Sequence, residues 1–201
     1  MKTILVLTAL ATSASALAAD YKPGSYDVDP AHTKVGFEVP HLVISTVEGH
    51  FNKFSGKAEL ADKFEKSKFN VNVETASVDT GVSKRDEHLK SPDFFDVAKF
   101  PSMVFVSTEV KGKPASFKLT GDLTIHGVTK KVTFDAKYLG AVNDGMGNEK
   151  TAFTAKTKIS RKDFGLKWGG MMEAGPVVGD EVTLDLRVEA GHPVAQGQQK
   201  K

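Results

Sequence analysis

The feature that most constrains this chain is a period of two. Phe117, Leu119, Gly121, Leu123 and Ile125 are apolar or small, and Lys118, Thr120, Asp122, Thr124 and His126 between them are polar. Such alternation places apolar side chains on one face of a strand and leaves the other face in water. It returns with Val132, Phe134, Ala136 and Tyr138 against Lys131, Thr133, Asp135 and Lys137, and with Val182, Leu184, Leu186 and Val188 against Thr183, Asp185, Arg187 and Glu189. Fainter copies run through Val35, Phe37 and Val39, through Phe69, Val71 and Val73, and through Phe153, Ala155, Thr157 and Ile159. Half-polar strands joined by short turn signals, here His126-Gly127 and residues 143–148, belong to an antiparallel sheet; parallel sheets need continuous apolar runs and crossover helices.

A sheet of about eight such strands folds over as a sandwich or closes into a barrel, and closure removes the edges that invite aggregation. Thirteen phenylalanines, many at inward positions of different strands, and little helix to cover a flat sheet favour the barrel. One short helix is predicted over Ser83–Lys90, with Ser83 as its N-cap, Asp86 reaching back from the third position and Pro92 ending it. The expected fold class is therefore all-β, an antiparallel barrel of about eight strands with one short helix.

Residues 1–18 read as a secretory signal: Lys2 is the positive start, residues 4–11 the apolar core, and Ala16-Leu17-Ala18 a small-x-small cleavage site. The apolar stretch is shorter than the ~20 residues a membrane-spanning helix needs. No later segment comes closer, so no stable membrane insertion is expected. Residues 19–190 form one domain, and 191–201 lack periodicity and read as a disordered polar tail. The expected location is the periplasm, with secretion as the alternative. The chain has no cysteine, so its stability comes from a core and not from disulfides. Losing the signal removes one of 27 basic residues and none of 25 acids. That near-balance argues against a nucleic-acid partner, which would need clustered Lys and Arg.

Several segments together resemble the YceI-like proteins. They are Tyr26-Asp27-Val28-Asp29-Pro30-Ala31-His32-Thr33, Gly49-His50-Phe51-Asn52-Lys53-Phe54-Ser55-Gly56, and Ala76-Ser77-Val78-Asp79-Thr80-Gly81 followed by Arg85-Asp86-Glu87-His88-Leu89 and Asp93-Phe94-Phe95-Asp96. Gly121-Asp122-Leu123-Thr124-Ile125-His126-Gly127-Val128-Thr129-Lys130 and Ile159-Ser160-Arg161-Lys162-Asp163-Phe164-Gly165 complete the set. No single segment is diagnostic, but five in order over one domain are specific. The resemblance implies a lipocalin-like barrel whose interior tunnel binds a polyisoprenoid or related lipid.

Candidate ligand-binding residues are the inward positions Phe37, Val39, Phe105, Phe117, Leu119, Phe134 and Phe153. Periodicity alone fits a solid core as well as a cavity; the resemblance favours the cavity. Residues 164–176 break the alternation with Phe164, Trp168, Met171 and Met172 among glycines, which fits a lid over a barrel mouth or a plug in one end. Arg85 and His88 are head-group candidates, although Arg85 also has Asp93 and Asp96 as neighbouring acids to pair with. Six histidines lack any recognised metal spacing, so no metal or cofactor is expected. Asp29-Pro30 reads as a turn ahead of an acid/base pair between Asp29 and His32. With no Cys, no Gly-x-Ser-x-Gly elbow and no Ser–His–Asp set that sequence brings together, nucleophilic catalysis has little to stand on. The expected function is a carrier for an isoprenoid or fatty-acyl small molecule; the rivals are a histidine- or metal-dependent enzyme acting on such a lipid and a solid-barrel interaction protein.

Overall fold

The computed structural model describes residues 21–172 and 175–193; the expected signal segment 1–18 and residues 194–201 of the expected tail lie outside them. Its strands are β1 (Gly24–Val28), β2 (Lys34–His41), β3 (Ser45–Phe51), β4 (Phe54–Leu60), β5 (Lys68–Glu74), β6 (Val78–Asp79), β7 (Ser102–Lys113), β8 (Ser116–Ile125), β9 (Val128–Asn143), β10 (Asn148–Ser160), β11 (Met171–Met172), β12 (Gly175–Pro176) and β13 (Glu181–Pro193). One helix, α1 (Ser83–Lys90), lies between β6 and β7. Eight strands close a barrel in the order β1, β4, β5, β7, β8, β9, β10, β13, with β13 returning to β1. Every pairing around the ring is antiparallel.

The alternation holds residue by residue. Along β9, Val132, Phe134, Ala136 and Tyr138 are buried while Lys131, Thr133, Asp135 and Lys137 are exposed. Outward side chains pair across strands: Lys118 with Asp135, Thr120 with Thr133 at 2.8 Å and Thr124 with Thr129 at 2.8 Å. On β7, Met103 and Phe105 face inward. The Phe105 ring lies across Gly121, where a Cβ would sit 2.5 Å from it. His126 and Gly127 both take positive φ, 51° and 73°, as a two-residue turn between β8 and β9 requires.

Closure depends on a splice. The outer edge of β13 pairs with β2 over Thr183 to Arg187 and with β1 at Ala190 and Gly191, so one long strand is flanked by two shorter ones. Between them the Glu189 backbone would lose its ladder partners. Thr33 supplies them: its Oγ1 donates to the Glu189 carbonyl at 3.1 Å and accepts the Glu189 N–H at 3.0 Å, while the Asp29 N–H donates to the same carbonyl at 2.9 Å. Asp29 holds the corner as the sequence suggested, its Oδ1 accepting from the Ala31 N–H at 3.0 Å. Its Oδ2 lies 2.7 Å from Lys150 Nζ and 3.1 Å from His32 Nδ1. These bonds hold the Asp29 carboxyl well below its usual range and, in return, raise the Lys150 ammonium.

A second corner joins β3 to β4, where the Asn52 N–H donates to the Ser77 carbonyl at 3.0 Å and the Lys53 N–H to Ser77 Oγ at 3.0 Å.

Two local expectations are corrected. Ser83 is the first helical residue and not the cap; Val82 occupies the cap position without a side-chain bond. Asp86 turns to Thr80, accepting from its N–H at 2.9 Å and its hydroxyl at 2.6 Å, because Thr80 offers two donors where Ser83 would offer one. The chain beyond Ala190 also does not lose structure at once. Gly191, His192 and Pro193 continue β13 against Lys150, Glu149 and Asn148, since the β10 backbone presents ladder groups whatever side chains face them.

Residues 161–168 and 178–180 are fastened together by Arg161, a buried charge. Its Nη1 donates to the Leu166 carbonyl at 2.7 Å and the Trp168 carbonyl at 2.6 Å; its Nε donates to the Gly179 carbonyl at 2.9 Å; and its Nη2 reaches Val178 O at 3.3 Å and Asp180 Oδ1 at 3.2 Å. A buried guanidinium is tolerated when its donors are satisfied, and here the satisfying groups belong to the irregular segment it holds.

Replacing Arg161 with methionine should therefore lower stability by about 2–4 kcal/mol, read as a smaller midpoint in urea unfolding, because several carbonyls lose a charged donor together. Asp29→Asn should cost about 1 kcal/mol near neutrality. The Asp29 carboxyl is depressed in the folded state, so its contribution is present above the unfolded value of about 3.9 and fades as pH falls below it. Unfolding curves of the two proteins should differ by a constant amount above about pH 5 and converge in acid; a gap that widens in acid contradicts this assignment.

Candidate ligand cavity

The barrel interior divides into a filled half and a hollow half. At the end carrying the turn 143–148 and the 3-10 turn Phe64–Lys66, aromatic rings pack against one another. Phe117 meets Phe64 at 4.8 Å and Phe69 at 6.3 Å between centroids; Phe153 meets Phe69 at 5.5 Å and Tyr138 at 5.4 Å. Tyr21 closes the group, 5.4 Å from Phe64 and 5.5 Å from Tyr138. Beside them the fully buried Tyr26 donates to Glu149 Oε1 at 3.0 Å or Lys22 O at 3.1 Å. Burial and the Glu149 carboxylate raise this phenol far above its usual range, so it remains a neutral donor.

Toward the opposite end, where α1 and residues 164–168 lie, a cavity of about 530 Å³ opens. Its size falls within the ~300–1,000 Å³ of small-molecule sites. Phe105 and Phe134, their rings 5.3 Å apart, line its deep part together with Val71 and Val188. Leu184, Leu186 and Ile159 line one wall and Phe37, Val39, Val47 and Phe51 another. The lining residues that are also exposed, Pro40, Val82, Lys84 and Trp168, mark the mouth at the α1 end.

The candidate residues divide accordingly. Phe37, Val39, Phe105, Phe134, Phe164, Trp168, Arg85 and His88 line the cavity. Phe117, Leu119 and Phe153 are buried but do not line it, because they sit deeper in the filled half. For these three the solid-core reading holds: alternation determines which face a residue takes, not how far along the barrel it lies. Met171 is 80% exposed and outside the lining. The side chain of Met172 lies outside the described ones. Trp168 rests at the mouth with its ring 4.9 Å from His88 and 5.1 Å from Phe94.

Neither acid foreseen for Arg85 binds it. Asp93 accepts from His88 Nε2 at 3.0 Å, and Asp96 pairs with Lys99 at 2.9 Å. Arg85 instead donates through Nε to Thr80 Oγ1 at 2.7 Å and through Nη2 to the Thr80 carbonyl at 2.8 Å. Sequence reasoning missed Lys84, Phe94, Phe95 and Phe51 as wall residues. Phe94-Phe95 carried a usable signal, an aromatic pair directly after the only predicted helix; Lys84 carried none.

Asp29, His32 and Glu189 offer ligand atoms within 4.8 Å of one another, the geometry of a cation site. Lys150 already fills that role, with Nζ 2.7 Å from Asp29 and 3.3 Å from Glu189, and none of the four lines the cavity. The group serves the barrel splice.

Comparison with known proteins agrees with this architecture. A UPF0312 protein of Pectobacterium carotovorum is 41% identical over 192 residues, covering 94% of this chain and 96% of its own. The crystal structure of BcnA from Burkholderia cenocepacia superposes with a TM-score of 0.69 at 25% identity, covering 81% of this chain and 98% of that one. A domain from Saccharophagus degradans described as polyisoprenoid binding shares the fold alone, with a TM-score of 0.62 at 15% identity over 86% of this chain and all of that one. The family described as YceI-like domain matches residues 26–190, and the chain belongs to that family.

Proposed function

We propose that this protein is a periplasmic carrier of a long-chain lipid, an isoprenoid or fatty-acyl compound whose chain lies in the hollow half of the barrel. The observation that carries the reading is the apolar cavity of about 530 Å³ with its mouth at the α1 end. At about 30 Å³ for a water-sized group, it has room for on the order of 15–20 methylenes. Each methylene withdrawn from water contributes about 0.8 kcal/mol, so a chain of that length binds without elaborate polar recognition. The polyisoprenoid-binding description of a protein with the same fold supports the ligand class. The periplasmic assignment is supported by the signal-like residues 1–18 and by the finding that, among the described residues, no helix is long and apolar enough to cross a membrane.

The reading is of binding and not catalysis: the titratable groups lining the cavity are Lys84, Arg85, Arg161, His41 and His88, the Thr33 hydroxyl there is taken by the Glu189 backbone, and the Asp29, His32 and Glu189 cluster is committed to holding the barrel closed. Trp168, over the mouth, is the gating residue in this reading. Met171 belongs to the same segment but stands away from the opening.

Native mass spectrometry of gently purified protein should show a bound lipid; a clean lipid-free mass together with no uptake of added lipid would overturn the carrier reading. Phe134→Asp should abolish retention and cost several kcal/mol of stability by placing a carboxylate on the cavity floor, whereas Lys137→Asp, on the outer face, should change neither appreciably. Trp168→Ala should speed lipid release while shifting the lipid-free melting temperature only slightly, since Arg161 holds the segment through the Trp168 carbonyl and not its ring. A large stability loss with unchanged release would make the indole a structural plug.

A further inference from the structure

We propose that the carried lipid ends in an anionic group, a carboxylate or a phosphate, held at the mouth by Arg85 and Lys84; this rests on the carrier reading above. The starting observation is one of charge. Lys84, Arg85 and Arg161 line the cavity, with His41 and His88, and no Asp or Glu does so among the described residues. A purely apolar chain with a neutral end gives such a set nothing to recognise.

The five groups differ in what they have left to offer. Arg161 spends its guanidinium on four carbonyls and Asp180. His88 is engaged by Asp93, and His41 lies 3.4 Å from Ser45 Oγ. Arg85 commits two N–H groups, both to Thr80, which leaves three of its five donors. Thr80 is neutral and passes the bond on to Asp86, whose carboxylate accepts from the same hydroxyl at 2.6 Å, so these bonds aim the guanidinium without a carboxylate binding it directly. Lys84 has no hydrogen-bond or ion-pair partner among the described residues. Of the nearby acids, Asp93 is on His88 and Asp96 on Lys99, Asp86 shares the Thr80 hydroxyl with Arg85, and Glu87, three residues along α1 from Lys84, forms no ion pair with it.

Two consecutive cations, neither bound directly to a carboxylate among the described residues, therefore stand at the rim of an apolar cavity. Apolar walls lower the local dielectric, so an anion placed there interacts more strongly than it would on an open surface. An oxyanion can take two of the remaining Arg85 donors side by side and the Lys84 ammonium as well, whereas an alcohol offers one oxygen and no charge.

The test uses the full chain stripped of lipid and isothermal titration with two matched pairs, hexadecanoate against hexadecanol and farnesyl phosphate against farnesol. The anionic member of at least one pair should bind at least ~10-fold more tightly than its alcohol, the ratio expected from one or more charge-assisted hydrogen bonds. The pair with the larger ratio identifies the preferred anion. Lys84→Gln should reduce that ratio; Lys84→Gln with Arg85→Gln should bring it close to one, mainly by weakening the anion; Arg85→Lys should restore part of it. Added salt should erode the advantage of the anion and leave the alcohols alone. Equal affinities within both pairs for the unaltered protein, or a ratio that survives both glutamine substitutions, would overturn the anionic end group and leave the carrier intact. If none of the four compounds binds, the carrier reading falls and this inference falls with it.

Discussion

Every stave of the barrel finds two neighbours because one backbone position, Glu189, is satisfied from outside the ladder. β13 is longer than either strand on its outer side and must pass from β2 to β1 along its own length. At the transfer point the Thr33 hydroxyl takes over both Glu189 backbone groups. Buried backbone groups without partners are costly, so this one side chain allows the first two strands to bend apart from a straight path. The ion cluster of Asp29, His32, Glu189 and Lys150 sits on the same joint. What looks like a polar site is the fastening that keeps the ring shut.

The hollow half follows from that joint. Because β1 stops at Val28 and β2 resumes at Lys34, with β3 and β4 broken in the same manner at Asn52-Lys53, the wall at the α1 end is built from different strands than the wall at the filled end. The filled end closes on aromatic rings, while the other is covered by α1 and by the segment that Arg161 holds. Filling and emptiness are arranged along the barrel axis, and the empty part has Lys84 and Arg85 at its rim, neither bound directly to a carboxylate.

Much of this was legible in the sequence. Alternation in β8, β9 and β13 identified the inward residues correctly, and His126-Gly127 was read as a turn for the right reason. Depth was not legible: Leu119 and Phe134 are paired neighbours obeying one rule, yet only Phe134 reaches the cavity. A period of two carries no information about height in a barrel. The cap at Ser83 failed because Thr80, three residues earlier, competes for Asp86 with two donors, which a local pattern does not weigh. Likewise the last residues of β13 have no alternation to announce them; their order comes from the open edges of β1 and β10.

A tube stopped at one end behaves as a vessel and not as a pipe. Its contents leave by the opening through which they came, in reverse order, and nothing threads through from one side to the other. In the proposed carrier, a chain sliding inward would drive water outward past itself, as a loose piston does, and would halt where its leading end met Phe105 and Phe134. The trailing end is then always the part displayed at the surface. Any chain longer than the depth of the vessel keeps its excess outside, where a receiving surface can grip it and draw out the remainder. In that reading the aromatic rings at the bottom would act as a gauge, converting the length of a cargo into the amount left within reach of the next recipient.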